Sequence, residues 1–329
     1  MGMIGVGIRR WEEPLRRFRP EEWLFLALTA VLVAIMSYYG DGYSTLFKLL
    51  RNWRFAAIVG GMCLVIFLRG WWRHREVSAA LSTVGRTIRE FSPLWACMII
   101  YETLHDLTPL LRPHVVDAHL IAIDHAVLGV DAGRWLDDHI GSPAMTEILV
   151  ICYASYGFAT PVYAAFLYLK GKNRPFRDLS LAITLTAVLG YIGYVSVPAI
   201  GPYLFQGEIY PDRLPQWSGD PGLLDTINNL KGSARDCFPS LHTAMTTVLM
   251  ALMWKSARRM FWGYLPMALG LYLATLYLRV HYAVDVAAGF VTAAVVLALT
   301  PRINDWWYSH RATPKSVAEQ RVGTITSIV

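Results

Sequence analysis

Eight apolar runs constrain this 329-residue chain more than any other feature, because each is long enough to cross a hydrocarbon layer at about 1.5 Å per residue. They extend from Trp23 to Tyr39, Trp53 to Leu68, Phe91 to Leu111, Thr146 to Leu169, Leu179 to Ala199, Pro239 to Ala257, Phe261 to Leu278 and Tyr282 to Thr300. Backbone that enters lipid must satisfy its own hydrogen bonds, so these runs predict helices. The expected fold class is all-α, a polytopic membrane helical bundle of about eight transmembrane helices. Composition agrees: a chain that is 55% hydrophobic and only 16% charged is too apolar for an ordinary soluble domain of this size.

The basic excess, with a pI near 9.1, invites a nucleic-acid reading. The Lys and Arg residues lie in short turns between apolar runs, however, which fits anionic lipid and predicts no nucleic-acid partner. Counting them along eight spans puts 21 on the side of both termini and 9 on the other. Positive-inside then predicts cytoplasmic termini in a plasma or inner membrane. Residues 1–22, with five Arg and four Glu around Ile4, Val6, Trp11 and Leu15, lack the apolar core and cleavage site of a signal peptide and are expected to stay as an interfacial segment. The expected divisions continue with two membrane helices and a linker over 23–90, the membrane domain that carries the chemistry over 91–301, and a flexible polar cytoplasmic tail over 302–329. No internal repeat, glycine-rich nucleotide loop or low-complexity linker interrupts them.

Two motifs carry chemistry. Arg235-Asp-Cys-Phe-Pro-Ser-Leu-His242 and Arg279-Val-His281-Tyr-Ala-Val-Asp285 each precede an apolar run, and one hairpin of two runs joins them, so both open on one membrane face. Pro239 suits the first turn of a helix, leaving N–H groups around Ser240 to His242 as an anion site. His281 and Asp285, four apart, share a helical face, so the carboxylate can hold one imidazole nitrogen while the other is offered as a nucleophile. His242 is then available as proton donor to a leaving group. Either motif alone has an ordinary explanation as a cap or a satisfied pair. Ionisable groups at bilayer depth are expensive, and two such motifs converging there favour function.

Pro239-Ser240-Leu-His242 followed by His281-Tyr282-x-x-Asp285 resembles the second and third motifs of the phosphatidic acid phosphatase type 2 superfamily. The wording Phe-Pro-Ser-Leu-His and His-Tyr-x-x-Asp, with Ile123-Asp-His-Ala-Val-Leu-Gly129, Trp135-Leu136 and Pro198-Ala-Ile-Gly-Pro202, is similar to its inositol phosphorylceramide synthase branch, over roughly Leu94 to Pro301. The resemblance implies a six-helix phosphatase-type core, a phosphohistidine on His281, Asp285 orienting it, His242 as general acid and Ser240 on the phosphate, with no cofactor and no metal. Two positions depart from the pattern. Ala274-Thr275 stands where the superfamily has Ser-Arg, and the first motif, a lysine followed by Arg-Pro, is not found in good form. Phosphate-binding cations are therefore sought among Arg235, Arg279, Lys231 and Arg213. Lys170-Gly-Lys-Asn-Arg-Pro175 is too short for the first motif and falls on the opposite face, so it reads as a cytoplasmic turn.

The partners implied are phospholipid and hydroxyl-lipid substrates. The leading expectation is a phosphotransferase moving a headgroup, phosphoinositol in the branch resembled, to an acceptor such as ceramide or diacylglycerol. A lipid or polyprenyl phosphate phosphatase using water is the alternative, and a non-catalytic lipid-binding or transport protein a second. Elsewhere, Glu102 and Asp106 share a face near His105 and read as a polar helix contact or a proton or metal site. Residues 112–142, with four histidines and five aspartates but no zinc-type ligand motif, read as a re-entrant or surface segment capping the active face. Residues 200–238 read as an irregular lid, and Cys63, Cys97, Cys152 and Cys237 as buried thiols.

Overall fold

A computed structural model describes residues 19–38, 77–205, 214–217 and 235–309, and among these every regular element is a helix. In chain order they are α1 (Pro20–Tyr38), α2 (Val77–Leu111), α3 (Asp117–Leu128), α4 (Ala132–Ile140), α5 (Pro143–Ala154), α6 (Tyr156–Leu169), α7 (Asn173–Ser196), α8 (Pro202–Phe205), α9 (Leu241–Ser256), α10 (Arg258–Tyr277) and α11 (Ala283–Ser309). The expected run at 53–68, the candidates Lys231 and Arg213, Cys63, and the side chains of Glu102, His105 and Asp106 lie outside the described residues.

Helix α7 is the hub, packing against α1, α2, α6, α9 and α11, while α10 packs against α4, α5, α9 and α11. Leu167, Leu179, Leu181, Leu249, Met253 and Leu271 are fully buried among them. Val291, Val295 and Leu299 recur at four-residue spacing on α11 and are all exposed. Such an apolar stripe is a liability in water and an ordinary lipid-facing surface. Two described helices, α7 and α11, are long and apolar enough to cross a membrane, and the α5–α6 pair makes a third if its 41° bend is taken within one span.

Several boundaries differ from expectation. The 146–169 run breaks at Ser155, whose hydroxyl donates to the Cys152 carbonyl (2.6 Å) and pairs with the Tyr264 hydroxyl (3.1 Å), a local competitor for helical bonding. Helix α2 reaches back to Val77, so part of the expected linker is helical; its Ala, Arg and Glu content favours that state. The expected flexible tail is helical to Ser309, because Asn304 is buried and donates to Asp178 Oδ1 (2.7 Å). Residues 112–142 are mostly α3 and α4, separated by Gly129 at φ 72° and by Asp131, which accepts from the Arg134 N–H. The lid region is described only in part and includes α8.

Candidate active site

The site is built where the chain enters α9 and α11. Helix α9 begins at Leu241 with Ser240 as its N-cap, so Pro239 precedes the cap rather than occupying the first turn. The Ser240 hydroxyl accepts from Thr243 N–H (3.3 Å) and Thr243 Oγ1 (3.1 Å), and the Ser240 N–H donates to the Asp285 carbonyl (3.0 Å). Ser240 is therefore committed to the cap and fully buried, where an open phosphate ligand was expected. Two glycines let the neighbouring helices close on this turn. A Cβ on Gly193 of α7 would meet Pro239 Cδ at 2.2 Å, and one on Gly289 of α11 would meet the Ser240 carbonyl at 2.6 Å.

Helix α11 begins at Ala283, so His281 and Asp285 flank its start instead of sharing one continuous helical face. The chain turns before it through Arg279, at φ 59°, and the Thr275 carbonyl accepts the N–H groups of Val280 (3.1 Å) and His281 (2.9 Å). Asp285 Oδ2 accepts the Tyr282 N–H at 2.8 Å and lies 3.6 Å from His281 Nδ1. His281 Nε2 in turn lies 3.1 Å from His242 Nδ1. The structure thus brings His242, His281 and Asp285 into one chain of contacts, with His281 and Asp285 almost entirely buried.

Helices α3, α5 and α6 complete the centre. The bend at Ser155 lays the rings of Tyr153 and Tyr156 against His242, with centroids 4.6 and 4.5 Å away. Asp124 accepts the first two N–H groups of α11, from Ala283 (2.7 Å) and Val284 (2.8 Å), and so caps that helix from outside. Asp117 accepts from the N–H groups of Ile200 (3.1 Å) and Gly201 (2.8 Å) and from the Tyr282 hydroxyl (2.9 Å). Burial pushes both carboxyls above their usual range, and these N–H donors pull part of the way back. Their seven-residue spacing places them on one face of α3, a signal legible in the sequence that the expected surface role passed over.

Cys237 is a further residue whose place in the site sequence reasoning missed. Its thiol donates to Asp285 Oδ2 at 2.8 Å and lies 3.6 Å from His281 Nδ1. Burial, and next the Asp285 carboxylate, push the thiol well above its usual range, so it stands there as a proton-bearing donor. Nothing in the spacing of Asp-Cys-Phe-Pro distinguishes it from an ordinary buried thiol such as Cys97 or Cys152. The Cys237, His281 and Asp285 ligand atoms lie within 4.8 Å of one another, close enough to hold a metal ion together.

The expected cations are placed differently. Arg279 is buried and pairs with Asp137 of α4 at 2.6 Å, so its guanidinium already has a carboxylate partner. Arg235 donates to the Arg112 carbonyl and to the Pro113 carbonyl (3.0 Å), tying its loop to the end of α2. Lys172 donates to the Ser256 carbonyl at the far end of α9, about 20 Å along the helix from His242 at 1.5 Å per residue. The Lys170 to Pro175 turn is therefore remote from the histidines.

Neither the curated proteins nor the solved structures contain a match to this chain. The family model described as the PAP2 superfamily matches residues 118–299, more than half of the chain, and that span contains both histidines, Asp285, Cys237 and Asp124, with Asp117 one residue before it. With a phosphatase or phosphotransferase acting on lipid-like substrates as the activity that this family suggests, and helices fit to cross a membrane around the site, the chain belongs to the PAP2 superfamily.

Proposed function

We propose that the protein is an integral-membrane lipid phosphotransferase that takes a phospho-headgroup from a phospholipid donor onto His281 and passes it to a hydroxyl lipid such as ceramide or diacylglycerol. The observation that carries this reading is the 3.1 Å contact between His242 Nδ1 and His281 Nε2, with Asp285 facing the opposite nitrogen of His281. If His281 holds its proton on Nδ1 toward Asp285, its Nε2 carries the lone pair and His242 Nδ1 supplies the hydrogen of that contact. Those are the states a nucleophile and a general acid require.

The donor phosphate replaces the hydrogen bond between the two histidines. His281 Nε2 forms a bond to phosphorus as the bond to the departing alcohol breaks, and His242 gives that oxygen its proton. The acceptor hydroxyl then returns a proton to His242 while its oxygen attacks the phosphohistidine and releases His281. Arg235 and Lys231 are the cations we assign to the phosphate, with the N–H groups at the start of α9; Arg279 would first have to leave Asp137. Eight spans with cytoplasmic termini and an extracytoplasmic site complete the proposal.

Burial of His281 and Asp285, with the Tyr153 and Tyr156 rings packed on His242, favours a lipid hydroxyl over bulk water as acceptor. Water in that place makes the same residues a phosphatase, the second reading, which superfamily membership supports equally. The test uses the purified full chain in detergent with a labelled phospholipid donor and ceramide, diacylglycerol or no lipid acceptor. Transfer to an acceptor lipid, with acid-labile label trapped on wild-type protein and absent from His281→Ala, is expected. Unchanged turnover in His281→Ala overturns the mechanism, and release of the labelled phospho-headgroup to water alone overturns the transferase.

A further inference from the structure

We propose that Cys237, His281 and Asp285 form a binding site for a zinc-class divalent cation, and that the bound ion holds the centre inactive. The three ligand atoms already approach the face of a coordination tetrahedron. Zn–S near 2.3 Å, with Zn–N and Zn–O near 2.0–2.2 Å, places neighbouring ligand atoms roughly 3.3–3.6 Å apart. Both edges from His281 Nδ1, to Cys237 Sγ and to Asp285 Oδ2, are 3.6 Å. The third, from Sγ to Oδ2, is 2.8 Å because the thiol proton lies on it, and it opens when that proton leaves.

A second observation is independent of these distances. Among the described residues Asp285 Oδ1 is buried and accepts no hydrogen bond, an arrangement that is costly for a carboxylate unless a cation or a cation's bound water takes it up. One sulfur, one imidazole nitrogen and one carboxylate select zinc over magnesium or calcium, which prefer oxygen alone. The backbone around the ligands is braced as a site requires: Tyr282 N–H holds Asp285, and Thr275 holds the His281 backbone.

The consequence for chemistry rests on the function proposed above. On binding, the Cys237 S–H bond breaks, its proton leaves to water, and a sulfur–metal bond forms. His281 Nδ1 gives its lone pair to the ion, so the imidazole proton moves to Nε2. That nitrogen then has no lone pair for phosphorus, and Asp285 is held by the ion. The metal thus removes both properties that the proposed nucleophile needs.

Two readouts separate the metal site from the mechanism. The full chain in detergent is titrated with Co²⁺ alone, and near-ultraviolet absorption is followed for thiolate-to-cobalt charge transfer. Wild type is expected to show the band at one equivalent and to lose it when Zn²⁺ is added; Cys237→Ser is expected to lack it. Turnover is then measured against Zn²⁺, each variant relative to its own metal-free rate. Cys237→Ser is expected to need at least tenfold more Zn²⁺ for half-inhibition, and a chelator to restore wild type. A thermal melt identifies misfolded protein, and Cys237→Ala serves if the serine variant does not fold. No sulfur band in folded wild type, or an equal band in folded Cys237→Ser, overturns the site. A band without Zn²⁺ inhibition overturns the inhibitory role, whereas unchanged turnover in His281→Ala overturns only the mechanism.

Discussion

Asp285→Asn isolates the charge of the buried carboxylate from its shape. In the structure Oδ2 accepts the Tyr282 N–H and the Cys237 thiol, and an asparagine carbonyl placed there keeps both bonds. The amide nitrogen then occupies the position of Oδ1, which has no partner among the described residues, and leaves a buried donor unsatisfied at a cost of about 1–3 kcal/mol in stability. The larger loss falls on the reaction. Without the negative charge, the neutral carbonyl at the Oδ2 position holds the His281 proton on Nδ1 more weakly and does not balance the charge that develops on the ring at phosphoryl transfer. Replacing the orienting carboxylate by an amide in a comparable triad lowers turnover about ten-thousand-fold, or ~5.5 kcal/mol at 1.36 kcal/mol per decade. Because Asp285 is fully buried behind His281, kcat is expected to carry the loss while KM stays within about twofold. Initial rates with labelled phospholipid, beside a melt of the solubilised protein, measure both effects. Turnover within tenfold of wild type in a folded Asp285→Asn protein would refute the reasoning.

Other outcomes follow from the same geometry. Breaking the buried Arg279–Asp137 pair with Arg279→Gln or Asp137→Asn is expected to destabilise the protein by about 3–5 kcal/mol, the double variant losing less than the sum; denaturant or thermal unfolding of all three tests this, and additive losses would remove the pairing. Asp124→Ala takes away the acceptor for two N–H groups of α11 and is expected to cost about 1–2 kcal/mol, read as a lower melting temperature with slower turnover; an unchanged melt would leave α11 without need of its outside cap. Gly193→Ala puts a methyl 2.2 Å from Pro239 Cδ and is expected to displace the α9 cap, with His242 beyond it, lowering kcat at least tenfold; a wild-type rate would show that the turn yields. A cysteine at Lys172 is expected to resist an impermeant thiol reagent in intact cells while one at exposed Trp217 reacts, and the opposite labelling would invert the proposed orientation.

Local rules made much of this protein legible from the sequence. Hydrophobic run length and the ban on unpaired backbone in lipid determined an all-helical chain, and motif spacing at the entries to two apolar runs picked out His242, His281 and Asp285. What pairs with what across long separations was decided by tertiary structure. Arg279 meets Asp137 across 142 positions, and Cys237 reaches Asp285 across 48, and no periodicity encodes either meeting. The bend at Ser155, the outside cap from Asp124 and the helical end at Asn304 likewise depend on partners that only packing supplies. A side chain's spacing sets the face it occupies, but a buried charge or thiol takes its role from whatever polar group the fold brings within about 3 Å, because inside a low-dielectric interior that neighbour dominates its energy.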